Sequence, residues 1–268
     1  MKLTVLVDNN VYLDPYMRGE PGFSIWLEDG DERILFDTGW SDLFMENAKR
    51  LGIDLGTVTT VVFSHGHNDH TTGFPYLSKA YDLSHVRLVA HPRALNRKTL
   101  DGEEIGAPFS AEWVSGICRY QPTEGPVHLT ERLIFLGQIP RTNDFESKAP
   151  IGEVWAGGKS EPDFLLEDSA MVWQGSDGLF IITGCSHCGI CNIIDYAKTV
   201  CGDSRINGII GGFHLQKTDA RLERTAEYLQ GQHIPFFCPC HCVSFAAKAR
   251  LNLVSPVREV GCSMTLEL

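Results

Sequence analysis

The chain of 268 residues predicts an α/β protein, in the broader sense an α+β fold with mixed sheets, on three observations. Short apolar runs broken by Gly, Pro and Asp dominate residues 5–37, as in an antiparallel sheet. Strand-like and helix-like periods then alternate over 34–90 and again over 170–251. Four strands, finally, end in a His-bearing turn, and α/β folds gather functional groups at strand ends because the sheet holds them rigidly.

The elements follow in order. Residues 5–7, 23–27 and 33–37 read as strands, with Asp29-Gly30-Asp31 as a hairpin turn. Leu43, Phe44, Ala48 and Leu51 share one side of a helix over 42–51. Residues 58–63 form a buried strand, 74–79 a short helix, and 86–90 a strand ending at His91-Pro92. From 93 to 163, Gly, Pro and charged residues interrupt every run except 132–136. That stretch reads as a loop-rich insertion or lid within one domain spanning 1–268. Regular periods return with a hairpin over 170–183, a helix over 190–200 and a strand over 206–210. A helix over 218–229 follows, opened by Thr218 or Asp219 as N-cap. A last buried strand covers 235–238, a helix 244–251, and residues 264–268 close a sheet.

A net charge of −11 argues against a general binder of DNA or RNA, whose affinity rests on Lys and Arg neutralising phosphates. A small-molecule substrate fits better, and oligomeric state is left open. No apolar run approaches the roughly 18 residues of a membrane span, and the first residues enter a strand rather than a secretory signal, so the expected location is the cytoplasm. The nine Cys are then expected as reduced thiols, core residues or metal ligands. Cys188-x-x-Cys191 with Cys238-x-Cys240-x-Cys242 has the short spacing of a structural zinc site, with simple core packing as the plainer alternative.

The chemistry is concentrated in Ser64-His65-Gly66-His67-Asn68-Asp69-His70, directly after the buried strand 58–63. A strand ending in four metal-capable side chains delivers them to one point, which a divalent ion needs and a hydrophobic core does not. His187, His214 and His241 end three later strands. One such turn is ordinary, whereas four suggest a shared site. Gly211-Gly212 before His214 lets backbone approach a ligand closely, so His214 is a candidate for substrate contact or proton transfer, against an ordinary turn residue. Arg141, after Ile139-Pro140, is a candidate clamp for a phosphate or carboxylate, against a solvated loop charge.

The H-x-H-x-D-H pattern and the later strand-end ligands resemble the metallo-β-lactamase-fold superfamily over nearly the whole chain. Within it the likeness is to the 7,8-dihydropterin-6-yl-methyl-4-(β-D-ribofuranosyl)aminobenzene-5'-phosphate synthase-like group. The segments that carry it are Asp8-Asn9-Asn10, Phe36-Asp37-Thr38-Gly39, Ser64-His65-Gly66-His67, Ile139-Pro140-Arg141, Gly184-Cys185-Ser186-His187, Gly211-Gly212-Phe213-His214-Leu215 and His241-Cys242. The chain departs from that group at Thr72-Gly73, where a Gly pair is expected, and at Pro21 after Glu20, where a His is expected.

The resemblance implies a four-layer αβ/βα sandwich and two divalent metal ions, Zn first, with Mn or Fe accepted by the same donors. It implies His65, His67 and His187 for one ion and Asp69, His70 and His241 for the other, with Cys185 as a further candidate ligand. Asp69 and His214 would serve catalysis, and Asn9, Arg141 and His214 the substrate. The implied activity is hydrolysis, or group transfer, by a metal-activated water on a small phosphorylated, pterin-related compound. Two other functions use the same features: an acyl hydrolase of the thioesterase, lactonase or glyoxalase-II kind, and a non-catalytic module that senses a metal or ligand.

Overall fold

Hydrophobic segregation sorts the chain into two compact units, one of residues 1–124, 151–163 and 260–268, the other of residues 125–150 and 164–259. The structure is a computed structural model and describes residues 1–268. Each unit has its own core, and neither core borrows apolar residues from the other.

The first unit is built on a seven-stranded sheet. Its order is Thr265–Glu267, Lys2–Val7, Ser24–Asp29, Glu32–Phe36, Thr60–Val62, Arg87–Ala90 and Arg119–Pro122. The first four strands are antiparallel, and the expected turn at Gly30, whose φ of 61° suits a residue without Cβ, joins Ser24–Asp29 to Glu32–Phe36. The rest add in parallel through helical crossovers. Thr60–Val62 is buried on both faces, which is why its sequence does not alternate between apolar and charged residues. Leu43–Arg50 lays Leu43, Phe44 and Ala48 on the core, as the spacing predicts.

The second unit carries a six-stranded sheet in the order Phe237–Pro239, Ile206–Gly211, Gly178–Thr183, Ala170–Gly175, Leu133–Phe135 and Val127–His128. Its first three strands are parallel, so their C-terminal ends lie along one edge. Helices Ile190–Cys201, Ala220–Gln230 and Phe245–Leu251 pack apolar faces on the same core. Asp219 caps the second of them by accepting from Leu222 N, and Ser244 caps the third by accepting from Ala247 N.

The stretch 93–163 holds more regular structure than its composition suggests. Lys98–Leu100, Glu103–Glu104, Glu153–Ala156 and Lys159–Pro162 make a four-stranded sheet in the first unit. Arg119–Pro122 extends that unit's main sheet, whereas Val127–His128 and Leu133–Phe135 extend the sheet of the second. These strands are two to four residues long and mostly exposed at the edges, so they show no apolar period.

Candidate metal centre

In the first unit the H-x-H-x-D-H stretch forms a tight turn and one turn of helix, Asn68–Thr71, with His67 as N-cap. Gly66 makes that turn feasible, since a Cβ there would stand 2.0 Å from the carbonyl oxygen of Ala94. The ring of His65 lies 4.7 Å from that of His67 and 4.2 Å from that of His70, centroid to centroid. His65 and His70 are fully buried.

Asp37 orients this fan from below. Its φ of 56° turns the backbone left-handed at the end of Glu32–Phe36 and aims the buried carboxylate at the histidines. Oδ1 accepts from Ser64 N at 2.8 Å, and Oδ2 accepts from Ser64 Oγ at 2.6 Å and from His70 Nδ1 at 2.7 Å. Because the Ser64 hydroxyl spends its proton on Asp37, its oxygen can only accept from His65 Nδ1, 2.9 Å away. Both imidazoles are therefore protonated on Nδ1 and present their lone pair on Nε2, as metal-ligating histidines do. Burial lowers the pKa of His67 from 6.5 to about 4 against the upward pull of Asp69, so this ring too is neutral at pH 7. The partly exposed Asp69 carboxylate sits 3.6 Å from His70 Nε2 and adds an oxygen donor.

Sequence reasoning missed one neighbour of this turn. Lys98 is fully buried, 2.9 Å from the equally buried Asp163, and its stem packs where a Cβ on Gly66 would meet Lys98 Cε at 2.9 Å. A single Lys in a polar stretch carries no sequence signal of burial.

In the second unit, three strand ends interlock. Gly212 N donates to Gly184 O, Ser186 Oγ donates to Gly212 O, Cys240 N donates to Gly211 O, and Cys242 Sγ donates to Cys185 O. Gly211 and Gly212 are required, since a Cβ would meet Thr183 O at 2.0 Å at the first and Cys242 Sγ at 2.5 Å at the second. The interlock gathers Cys185, His187, His214 and His241 at one edge. Cys185 Sγ lies within 4.8 Å of a ring nitrogen of His187 and of one of His241, and the rings of His187 and His214 are 4.4 Å apart. Ser186, His214 and His241 all have positive φ, at 58°, 48° and 53°.

The remaining candidates fall elsewhere. Arg141 donates from one guanidinium nitrogen to the carbonyls of Phe164 and Leu165, tying two loops of the second unit together. Asn9 is exposed just past Lys2–Val7, beside Asp8, which accepts from Asn10 N. Cys188, Cys191, Cys238 and Cys240 are buried and in no disulfide, and no three of them with Cys242 are placed to share an ion, so the plainer reading as buried core residues holds. Cys188 N instead donates to Asp168, and Cys191 N to Glu146.

The donor set fits divalent ions: neutral imidazoles, two of the three with Nε2 presented by a hydrogen bond at Nδ1, together with a carboxylate. The sequence profile of the metallo-beta-lactamase superfamily matches residues 17–215. The chain belongs to that superfamily. Its fold is the metallo-β-lactamase fold, and members generally are hydrolases that usually bind metals. An uncharacterised protein of Methanocaldococcus jannaschii is 31% identical over 252 residues, 93% of either chain. The 7,8-dihydropterin-6-methyl-4-(beta-D-ribofuranosyl)-aminobenzene-5'-phosphate synthase of the same organism is 28% identical over 239 residues, 81% of this chain and 77% of that one. A solved structure described as a metal-dependent hydrolase of the beta-lactamase superfamily superposes with a TM-score of 0.85 at 30% identity, covering 100% of this chain and 99% of that one. No helix is long and apolar enough to cross a membrane.

Proposed function

We propose that this protein is a dinuclear metal-dependent hydrolase, or transferase, acting on a small phosphorylated, pterin-related substrate. The observation that carries it is the fan of His65, His67 and His70, with two rings fixed by Asp37 and Ser64 in the tautomer that ligates through Nε2. His65, His67 and His187 would hold one ion, and Asp69, His70 and His241 the other, with Cys185 as a further donor. When bound, two such ions supply Lewis acidity toward an ester and a nucleophile available at neutral pH.

The chain's own groups do the rest. Asp69, the one carboxylate of the turn, orients the attacking nucleophile. His214 holds or transfers a proton at its imidazole beside His187, where the substrate's reacting group would lie. Arg141 and Asn9 remain proposed substrate contacts. The similarity to the M. jannaschii synthase supports a phosphorylated pterin-related compound, and the composition supports a small molecule over nucleic acid or membrane.

The test is a panel of phosphodiesters and phosphomonoesters assayed with protein stripped by chelator and reloaded with Zn²⁺ or Mn²⁺. Turnover that disappears on stripping and returns on reloading is expected. Turnover of acyl esters alone would replace this proposal with an acyl hydrolase. Ligand-induced stabilisation with no product on any substrate would replace it with a sensing module.

A further inference from the structure

The helix Ile190–Cys201 starts at Gly189, which has no side chain to cap it. Two buried carboxylates from distant segments of the second unit serve its entry instead. Glu146, 1% exposed, accepts from Cys191 N at 3.1 Å and from Asn192 N at 3.2 Å, as a helix cap would. It reaches them only because residue 189 is glycine, since a Cβ there would meet Glu146 Oε2 at 2.3 Å. Asp168, fully buried, acts further back. It accepts from Cys188 N at 3.0 Å and also from the amide of His187. Those amides belong to the turn between Gly178–Thr183 and the helix, not to the helix itself.

We infer that Asp168 is a positioning residue of the metal centre: by holding the His187 and Cys188 amides it fixes the direction in which His187 presents its imidazole. Three observations point this way. Ser186 stands at φ of 58°, a conformation costly for serine, so the turn keeps its shape only because its surroundings over-determine it. His187 lies between two anchors, with Ser186 Oγ donating to Gly212 O at 2.6 Å on one side and Asp168 taking the amides on the other. Asp168 is itself held, since its N donates to Leu165 O, and Arg141 ties down the Phe164 and Leu165 carbonyls. Ligands must be held to within about 0.5 Å of productive geometry, and a buried carboxylate on two adjacent amides is a stiff way to do so. Where Asp37 and Ser64 act on the rings of His70 and His65, Asp168 acts on the backbone that carries His187. This inference rests on the reading of His187 as a metal ligand and deepens it.

The test uses the full-length protein, stripped of metal and titrated with Co²⁺, whose visible absorption reports the number and kind of its ligands. His187→Ala sets the size of the effect that loss of this ligand produces. Asp168→Ala is expected to weaken the ion that His187 serves by at least about tenfold, the usual cost of losing a group that orients a ligand. Asp168→Asn keeps an acceptor oxygen at the same reach and should recover most of that loss. Glu146→Ala is the control: it removes a cap from the same helix and should lower the melting temperature of the metal-free protein, yet leave cobalt affinity within about twofold. In the metal-free wild type the His187 and Cys188 amides should be protected from hydrogen exchange, a measurement that needs no variant to fold. Rapid exchange of both amides would overturn the inference, as would an equal loss of affinity in Glu146→Ala and Asp168→Ala. So would unchanged affinity in a folded Asp168→Ala beside a weakened His187→Ala. Equal affinity of wild type and His187→Ala would overturn it together with the ligand reading. Cobalt binding that depends on Asp168, with no turnover of any phosphoester, would instead sink the hydrolase reading and leave this role of Asp168 standing.

Discussion

Replacing Lys98 by Met should be the most destabilising single change near the histidine turn. The ammonium is fully buried and lies 2.9 Å from the Asp163 carboxylate, itself only 2% exposed. Asp163 also anchors chain, since its N donates to Gly152 O and its carbonyl accepts from Ile151 N, where residues 151–163 rejoin the first unit. Methionine fills nearly the same space, so the change removes charge rather than volume and strands a carboxylate in the interior. Breaking one partner of such a pair costs about 3–5 kcal/mol. For a chain of this size that corresponds to a fall of roughly 6–20 °C in melting temperature. The double variant Lys98→Met with Asp163→Leu removes both charges and should recover most of the loss, because a well-packed apolar pair is about as stable as a buried ion pair. Urea unfolding followed by circular dichroism on wild type, both singles and the double gives the coupling energy. A loss below about 1 kcal/mol for Lys98→Met would refute the reasoning, since it would mean that water reaches Asp163 and pays the solvation the lysine was thought to supply.

Two further outcomes follow from the same turn. Asp37→Asn keeps a side chain that tolerates φ of 56°, but it turns one acceptor oxygen into a donor facing Ser64 Oγ and His70 Nδ1, so His70 is driven to the other tautomer. Metal affinity should fall roughly 10–100-fold in a competition titration with a chromogenic chelator, and an effect under about twofold would contradict the proposed orienting role. The metal-free protein should also lose stability on acidification. His67 in the unfolded chain takes its proton near 6.5 and in the folded chain only near 4, so the unfolded state binds more protons in that window. Up to about 3 kcal/mol is lost as pH falls from 6.5 to 4, and none further below. His67→Asn should flatten this part of the profile.

Much of the site was legible because its signals are local. His65, His67, Asp69 and His70 are four residues within six positions, and the strand before them is buried on both faces. The helix bounds were legible for the same reason, with Asp219 and Ser244 capping where the hydroxyl and carboxylate signals stand. Illegible features depend on contacts distant in sequence. Lys98 and Asp163 are 65 residues apart, each ordinary in its own surroundings. The strands of 93–163 owe their existence to partners in two sheets and not to their own periodicity. Asp168 looks like any loop acid until the amides of His187 and Cys188 are seen to donate to it. Asp37 could be tied to the site only through the family likeness, since the turn geometry that aims it at His70 is set by a left-handed backbone angle that composition does not encode.

That backbone angle recurs. Asp37, Ser186, His214 and His241 end four different strands, and each holds φ between 48° and 58°. Asn, Asp and His are the non-glycine residues that best tolerate this conformation, and they are also donors of oxygen or nitrogen to metals. At such positions the residues the backbone accepts most readily are also ones that carry a polar group. A single substitution among them can exchange one polar group for another without re-laying the chain, whereas glycine would ease the backbone and remove the group. The chemistry presented at these strand ends can thereby change by point substitution, while the turns themselves keep their shape.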